Sequence, residues 1–195
     1  NCAVIADAFV PGSRVVDVGS GAGLPGVVLA IVRPDLDVHL VEPMMRRTQW
    51  LEGVVADLGL DSVTVHRGRA EEFAGALSAP YVTARAVARL DKLARWCVPL
   101  LEPKGVLVAM KGRSAATELA EDRRALARLG LADAVVTEHL SALLDEPVLT
   151  VDLRFEPKPV RTKPARVKPS RRAKAGKPTG QGNSPKSGKP AKPQV

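Results

Sequence analysis

Two carboxylates and a run of glycines carry most of the chemistry that this sequence can offer. Val15 to Gly26 reads V-V-D-V-G-S-G-A-G-L-P-G, with Asp17 followed by Gly19, Gly21, Gly23 and Gly26. A β-branched run that breaks into spaced glycines predicts a strand, a tight turn and then a helix. Glycine lets the backbone take positive φ and lets a ligand approach the main chain. A helix N-terminus adds free N–H groups and partial positive charge. The segment therefore predicts a nucleotide-like ligand at the end of the first strand. The G-x-G-x-x-G match over Gly21–Gly26 is weak by itself. Asp17, two residues before Gly19, narrows it: a carboxylate suits a ligand with a positive end better than a pyrophosphate. S-adenosylmethionine carries an ammonium and a sulfonium. A glycine-rich turn with no ligand is the plain alternative.

Four more positions fall at predicted strand ends, where open α/β sheets bind their ligands. Glu42 lies 21 residues beyond Gly21 and can accept from both ribose hydroxyls of a nucleoside. That contact is common to NAD and S-adenosylmethionine enzymes, so it does not separate them. Arg69-Ala70-Glu71 follows the third strand, on a loop that can face an adenine or be a surface turn with helix-start carboxylates. Arg85 and Lys111 end the fourth and fifth strands. Each can hold a ligand carboxylate or an RNA phosphate, or be an ordinary cation lying along apolar surface.

The elements that must position these groups follow from periodicity and punctuation. Helix is expected over Cys2–Phe9, Gly26–Val32, Met45–Gly59, Leu90–Leu101 and Thr117–Leu129. Strands are expected over Arg14–Val18, Val38–Val41, Val63–His66, Tyr81–Arg85, Gly105–Met110, Ala134–Leu140 and Val148–Phe155, with a turn over Arg69–Phe73. Five strands alternating with helices predict a parallel sheet covered on both faces. The last two have no helix between them and should pair antiparallel. The expected fold is α/β: a mostly parallel seven-stranded sheet with a C-terminal antiparallel hairpin, an ending that favours a methyltransferase over an NAD enzyme. An NAD oxidoreductase would usually need a second mononucleotide half and a substrate domain, and the chain supplies neither.

The net charge of +8 conceals an asymmetry. Twelve of the 29 lysines and arginines lie from Pro157 onward, with no Asp or Glu among them, leaving 17 basic against 21 acidic residues in 1–156. We expect a methyltransferase domain over 1–156 and a disordered basic Lys/Pro-rich tail over 157–195, which has no aromatic residue to bury. Such a tail attracts RNA without sequence preference. No apolar run is long enough to span a membrane, and no secretory signal opens the chain. Cys2 and Cys97 have no metal or redox spacing, which fits a reducing cytoplasm. The chain opens at Asn1 inside a predicted helix, so part of an N-terminal helical segment is expected to be missing.

Absences narrow the chemistry. His39, His66 and His139 fall inside predicted strands and form no triad or metal cluster. There is no Asn/Asp-Pro-Pro-aromatic run of the kind amino-group methyltransferases use, and no Cys-Pro pair for attack on a pyrimidine ring. Trp50 and Trp96 are expected on helices and buried.

D-V-G-S-G-A-G-L-P-G, L-V-E-P, R-A-E-E-F, A-R-A-V-A-R-L and A-M-K-G occur in that order at close spacing. Over about residues 1–156 they resemble the bacterial small-subunit ribosomal RNA guanine-N7 methyltransferase G family, also called glucose-inhibited division protein B. The L-P-G ending of the glycine loop is the most specific part. The resemblance implies a Rossmann-like class I S-adenosylmethionine-dependent methyltransferase fold, S-adenosylmethionine as methyl donor and one guanine of 16S rRNA as acceptor, within the small ribosomal subunit; from the Cys and His placement no metal is expected. By matching positions it puts Gly19 and Leu24 in the donor loop, Ala70 and Glu71 beside the adenine, and Arg85 on donor or substrate. Arg69 would be a second functional arginine. A monomer is expected. The long basic tail is not a general family feature. Two other readings stay open on the residues alone: a methyltransferase acting on a small molecule or protein, and a non-catalytic RNA-binding protein using the tail.

Overall fold

The computed structural model describes residues 1–85, 88–142 and 144–157. The tail expected from Pro157 onward therefore lies, beyond that proline, outside the described residues. Seven strands form one sheet: β1 (Arg14–Val18), β2 (Asp37–Glu42), β3 (Val63–Arg67), β4 (Ala79–Arg85), β5 (Leu101–Lys111), β6 (Asp133–His139) and β7 (Val148–Arg154). The helices are α1 (Gly26–Val32), α2 (Met45–Asp57), α3 (Leu90–Cys97) and α4 (Ala115–Arg128). The strand order is β3-β2-β1-β4-β5-β7-β6. The first five strands are parallel, and β7 runs antiparallel to both β5 and β6.

Residue type explains the layering. β1 is buried from Val15 to Val18, as a central parallel strand covered on both faces must be. Alternate side chains feed opposite cores. Val16 and Val18 join Leu93, Ala94, Leu107 and Leu126 on the α3–α4 side. Val15 joins Leu29, Leu40 and Leu51 on the α1–α2 side. β1 pairs with β2 on one flank and β4 on the other, so the chain direction across the sheet reverses there. The crevice at that reversal is where open α/β sheets hold ligands.

Several boundaries differ from the expectation. Ala3–Ala8 is a 3-10 helix rather than an α-helix. Pro11 and Gly12 follow too closely for further turns, and the segment is held by burying Cys2, Ile5 and Phe9. α3 stops at Cys97 because Pro99 has no N–H to donate, and Val98–Leu100 tightens to 3-10 geometry. β5 begins four residues earlier than Gly105, since Leu101 already pairs with Ala79 across an irregular register.

Gly26 shows how closely the first turn is built. A Cβ there would collide with the Leu40 side chain and stand 2.8 Å from Asp17 Oδ2. Gly26→Ala is therefore expected to destabilise the fold by about 1–3 kcal/mol, read as a lower denaturant midpoint at unchanged m-value. An unshifted midpoint would mean that this packing yields freely.

Candidate ligand site at the strand ends

The loop after β1 is tied down from both sides. Gly19 N–H and Ser20 N–H donate to the Val41 carbonyl at 2.8 and 3.3 Å, fastening the loop to β2. Gly19, Gly21 and Gly23 have φ of 72, 59 and 98°, conformations that cost any residue with a Cβ. Glu42 closes the arrangement from the end of β2. Only 2 % of it is exposed. Its Oε2 accepts from Gly21 N–H at 3.0 Å and its Oε1 from Met44 N–H at 2.9 Å. The Arg47 guanidinium stands 3.8 Å from Oε2. One carboxylate thus fixes the glycine loop and the entry to α2 together.

Asp17 is more deeply placed than the sequence suggested. It is fully buried, and its Oδ2 accepts from Gly26 N–H at 3.0 Å, so it grips the start of α1 beneath the loop. Its Oδ1 is a buried oxygen with no hydrogen-bond partner. Burial pushes its pKa up to about 7, against the opposing pull of Gly26 N–H and Ser20. Asp17 therefore supports the turn and does not stand open to solvent.

A cleft of about 260 Å³ opens beside this loop, at the ends of β1, β2 and β3. Val18, Gly19, Val41, Pro43, Gly68, Arg69, Ala70, Glu71 and Trp96 line it. The structure thus brings Gly19, Ala70, Glu71 and Arg69 together, with Glu42 next in the chain to two wall residues. Its walls are largely apolar, as a flat heteroaromatic ring requires. Trp96 is a wall residue that sequence reasoning missed. It is half-buried on α3, and only the tertiary approach of α3 to the β1 loop brings it there.

A second and larger cleft, of about 540 Å³, lies at the ends of β4 and β5. Arg85 and Lys111 line it with Arg89 and Arg113. Arg85 donates to Cys2 Sγ at 3.3 Å. Lys111 is less free than its position implied: its side chain is 8 % exposed, and Nζ donates to Glu118 Oε2 at 2.7 Å and to the Ala88 carbonyl at 2.8 Å. Burial would raise the Glu118 pKa, but hydrogen bonds from Lys111 and Ser114 outweigh it and hold it below the ordinary value. Lys111 and Glu118 together lock α4 to the end of β5.

The expectation for Trp50 needs correction. It is 59 % exposed. The buried residues of α2 are Thr48 and Leu51, and Trp50 projects away from them. The histidines line neither cleft. His39 Nδ1 and His66 Nε2 are hydrogen-bonded at 2.7 Å, and His139 bonds Thr150 Oγ1 at 2.9 Å. Among the described residues no group of three or more His, Cys, Asp or Glu could hold a metal ion, and no helix is long and apolar enough to cross a membrane.

The chain's relatives can now be set beside this geometry. The family model described as "GidB: rRNA small subunit methyltransferase G" matches residues 1–144. A protein named ribosomal RNA small subunit methyltransferase G from Pseudarthrobacter chlorophenolicus is 52% identical over 151 residues, covering 77% of this chain and 70% of the relative. One of the same name from Salinispora tropica is 49% identical over 175 residues, covering 83% and 72%. Among solved structures, M. jannaschii TYW2 in complex with AdoMet superposes with a TM-score of 0.60 at 19% identity, covering 78% of this chain and 72% of that one. A SAM-dependent O-methyltransferase from Thermotoga maritima gives 0.59 at 16%, covering 81% and 65%. At those identities the likeness is one of fold: the class I methyltransferase sheet.

Proposed function

The chain belongs to the rRNA small subunit methyltransferase G family, and from that premise we propose that it transfers the methyl group of S-adenosylmethionine to N7 of a guanine in 16S rRNA. The observation that carries the reading is the glycine loop pinned by Glu42 at the sheet's reversal point, beside a cleft with apolar walls. The residues present fit the donor. Ala70, Val18 and Trp96 offer surfaces that would take an adenine, and Glu71 lines the same cleft. Glu42 ends β2 and, buried with both oxygens engaged, shapes the loop along which the ribose hydroxyls would lie. Gly19, Gly21, Gly23 and Leu24 would follow the remainder of the donor, on a loop held in shape by Asp17. Arg69 and Arg85 are the cations for a donor carboxylate or RNA phosphates, and Lys111 is a weaker candidate because Glu118 already holds it.

When bound, the donor supplies an electrophilic methyl on a sulfonium. Guanine N7 carries an in-plane lone pair and no proton, so its attack needs no general base. No histidine is needed for that step, and none of the three lines either cleft. The protein's work is to hold acceptor and donor close and aligned. Positive charge grows on the guanine as the bond forms, so carboxylates can help there and arginines belong on phosphates. The acceptor is proposed to be presented on the small ribosomal subunit, with the cations beyond Pro157 adding unspecific attraction to RNA.

Calorimetry should show S-adenosylmethionine binding and no NAD binding. Unmethylated small subunits should then gain one alkali-labile 7-methylguanine in 16S rRNA. Binding of NAD instead, or methyl transfer only to protein or small molecules, would overturn the reading.

A further inference from the structure

Trp50, Met44, Met45 and Arg46, at the exposed start of α2, have no part in the site described above. Trp50 is 59 % exposed, and Met44 and Met45 are 52 and 50 % exposed at the start of the same helix. They stand beside a groove of about 500 Å³ lined by Gly21, Ala22, Met44, Arg46, Arg47 and Trp50. This is a large aromatic side chain that the fold leaves in water, next to two exposed arginines. Arg46 has no ion pair among the described residues, and Arg47 reaches only Glu42, at 3.8 Å.

We propose that this groove is a docking site for single-stranded rRNA flanking the target guanine, with Trp50 stacking on an unpaired base and Arg46 taking a phosphate. The proposal rests on the rRNA-methylating function argued above and assigns it a contact surface. Three features select RNA. Residues 1–156 carry 17 basic against 21 acidic side chains, so cations grouped at one spot on an acidic domain mark a place for a polyanion. The nearest acid along the helix, Glu52, lies six residues from Arg46, about 120° away around α2, and Glu42 pairs with Arg47 only, which leaves the Arg46 charge uncancelled. An exposed aromatic flanked by arginines is what unpaired bases and their backbone require, since stacking tolerates any base and the cations track the phosphates. The groove also shares Gly21 and Ala22 with the glycine loop, and Gly21 N–H is held by Glu42. RNA seated here abuts the donor loop through Gly21 and Ala22.

The test is steady-state methyl transfer to unmethylated small subunits by the full chain and by Trp50→Ala, Trp50→Phe and Arg46→Glu, with S-adenosylmethionine affinity read by calorimetry. Trp50→Ala is expected to raise KM for the RNA substrate about tenfold and leave donor affinity within about twofold of the unsubstituted chain. Trp50→Phe should recover most of the loss, because a ring can still stack. Arg46→Glu should also make RNA affinity less steeply dependent on salt. Retained donor binding shows that the variants are folded. RNA KM and salt slope unchanged in all three variants would overturn the proposal while leaving the methyltransferase reading intact. So would a change in self-association on sedimentation without a change in RNA binding, which would make the groove a contact between copies. An unsubstituted chain that neither binds nor methylates rRNA would overturn the functional reading and this one with it.

Discussion

Replacing Glu42 by alanine is expected to weaken S-adenosylmethionine binding by about a hundredfold or more, with a smaller loss of stability. The side chain is almost wholly buried and accepts two backbone hydrogen bonds, from Gly21 and Met44. Hydrogen bonds to a charged partner are worth about 1.5–3 kcal/mol each. Removing the carboxylate frees both N–H groups and loosens the loop just where a donor's ribose would lie. Glutamine should not rescue it. Both partners of Glu42 are donors, and an amide offers one accepting oxygen and one donating NH₂, so one N–H would face another. Aspartate is one methylene too short to span both. Calorimetry on the three variants would check this. Wild-type affinity in Glu42→Gln would mean that the charge and its two bonds are dispensable.

The sequence made some of this legible and not the rest, for reasons visible in particular residues. Strand and helix order comes from strong local signals: the β-branched pair Val15-Val16, the largely apolar stretch Val38–Val41, and stops at Pro34 and Gly59. The candidate loop was legible because glycines with positive φ have few substitutes. Asp17 reads from the sequence as a ligand contact, whereas the structure buries it against Gly26 N–H. Its proximity to Gly26, nine residues on, depends on how α1 folds back against β1, and composition carries no trace of that. Trp50 and Trp96 were expected to be alike. One stands in water and the other lines a cleft, because an apolar helix position faces the core only if the helix is rotated to put it there. Helix ends moved where proline intervened, as at Pro99. Lys111 looked available because its partner, Glu118, sits on a helix whose approach to β5 is tertiary.

Asp17 leads to the second large effect, on stability against pH. Its carboxyl titrates near pH 7 in the folded chain against an ordinary value of 3.8, because burial disfavours the charged form. Between those two values the native state keeps a proton that the unfolded chain has lost. Stability must then fall as pH rises, by up to about 1.4 kcal/mol per pH unit from this group, and level off above pH 7. From pH 5 to pH 8 the loss is on the order of 3 kcal/mol. Other groups oppose it: His66, which burial keeps below its ordinary pKa, adds stability as pH rises through the same range. The comparison that isolates Asp17 is therefore with Asp17→Asn. Asparagine cannot ionise, and its amide oxygen can still accept from Gly26 N–H. Denaturant midpoints of the two chains should diverge steadily from pH 5 to pH 7, the variant gaining on the wild type, and then run parallel. Parallel curves over the whole range would mean that Asp17 is ionised throughout. A partner for Oδ1, a water or a shift of the loop, would then have to stabilise the charge that the packing here leaves uncompensated.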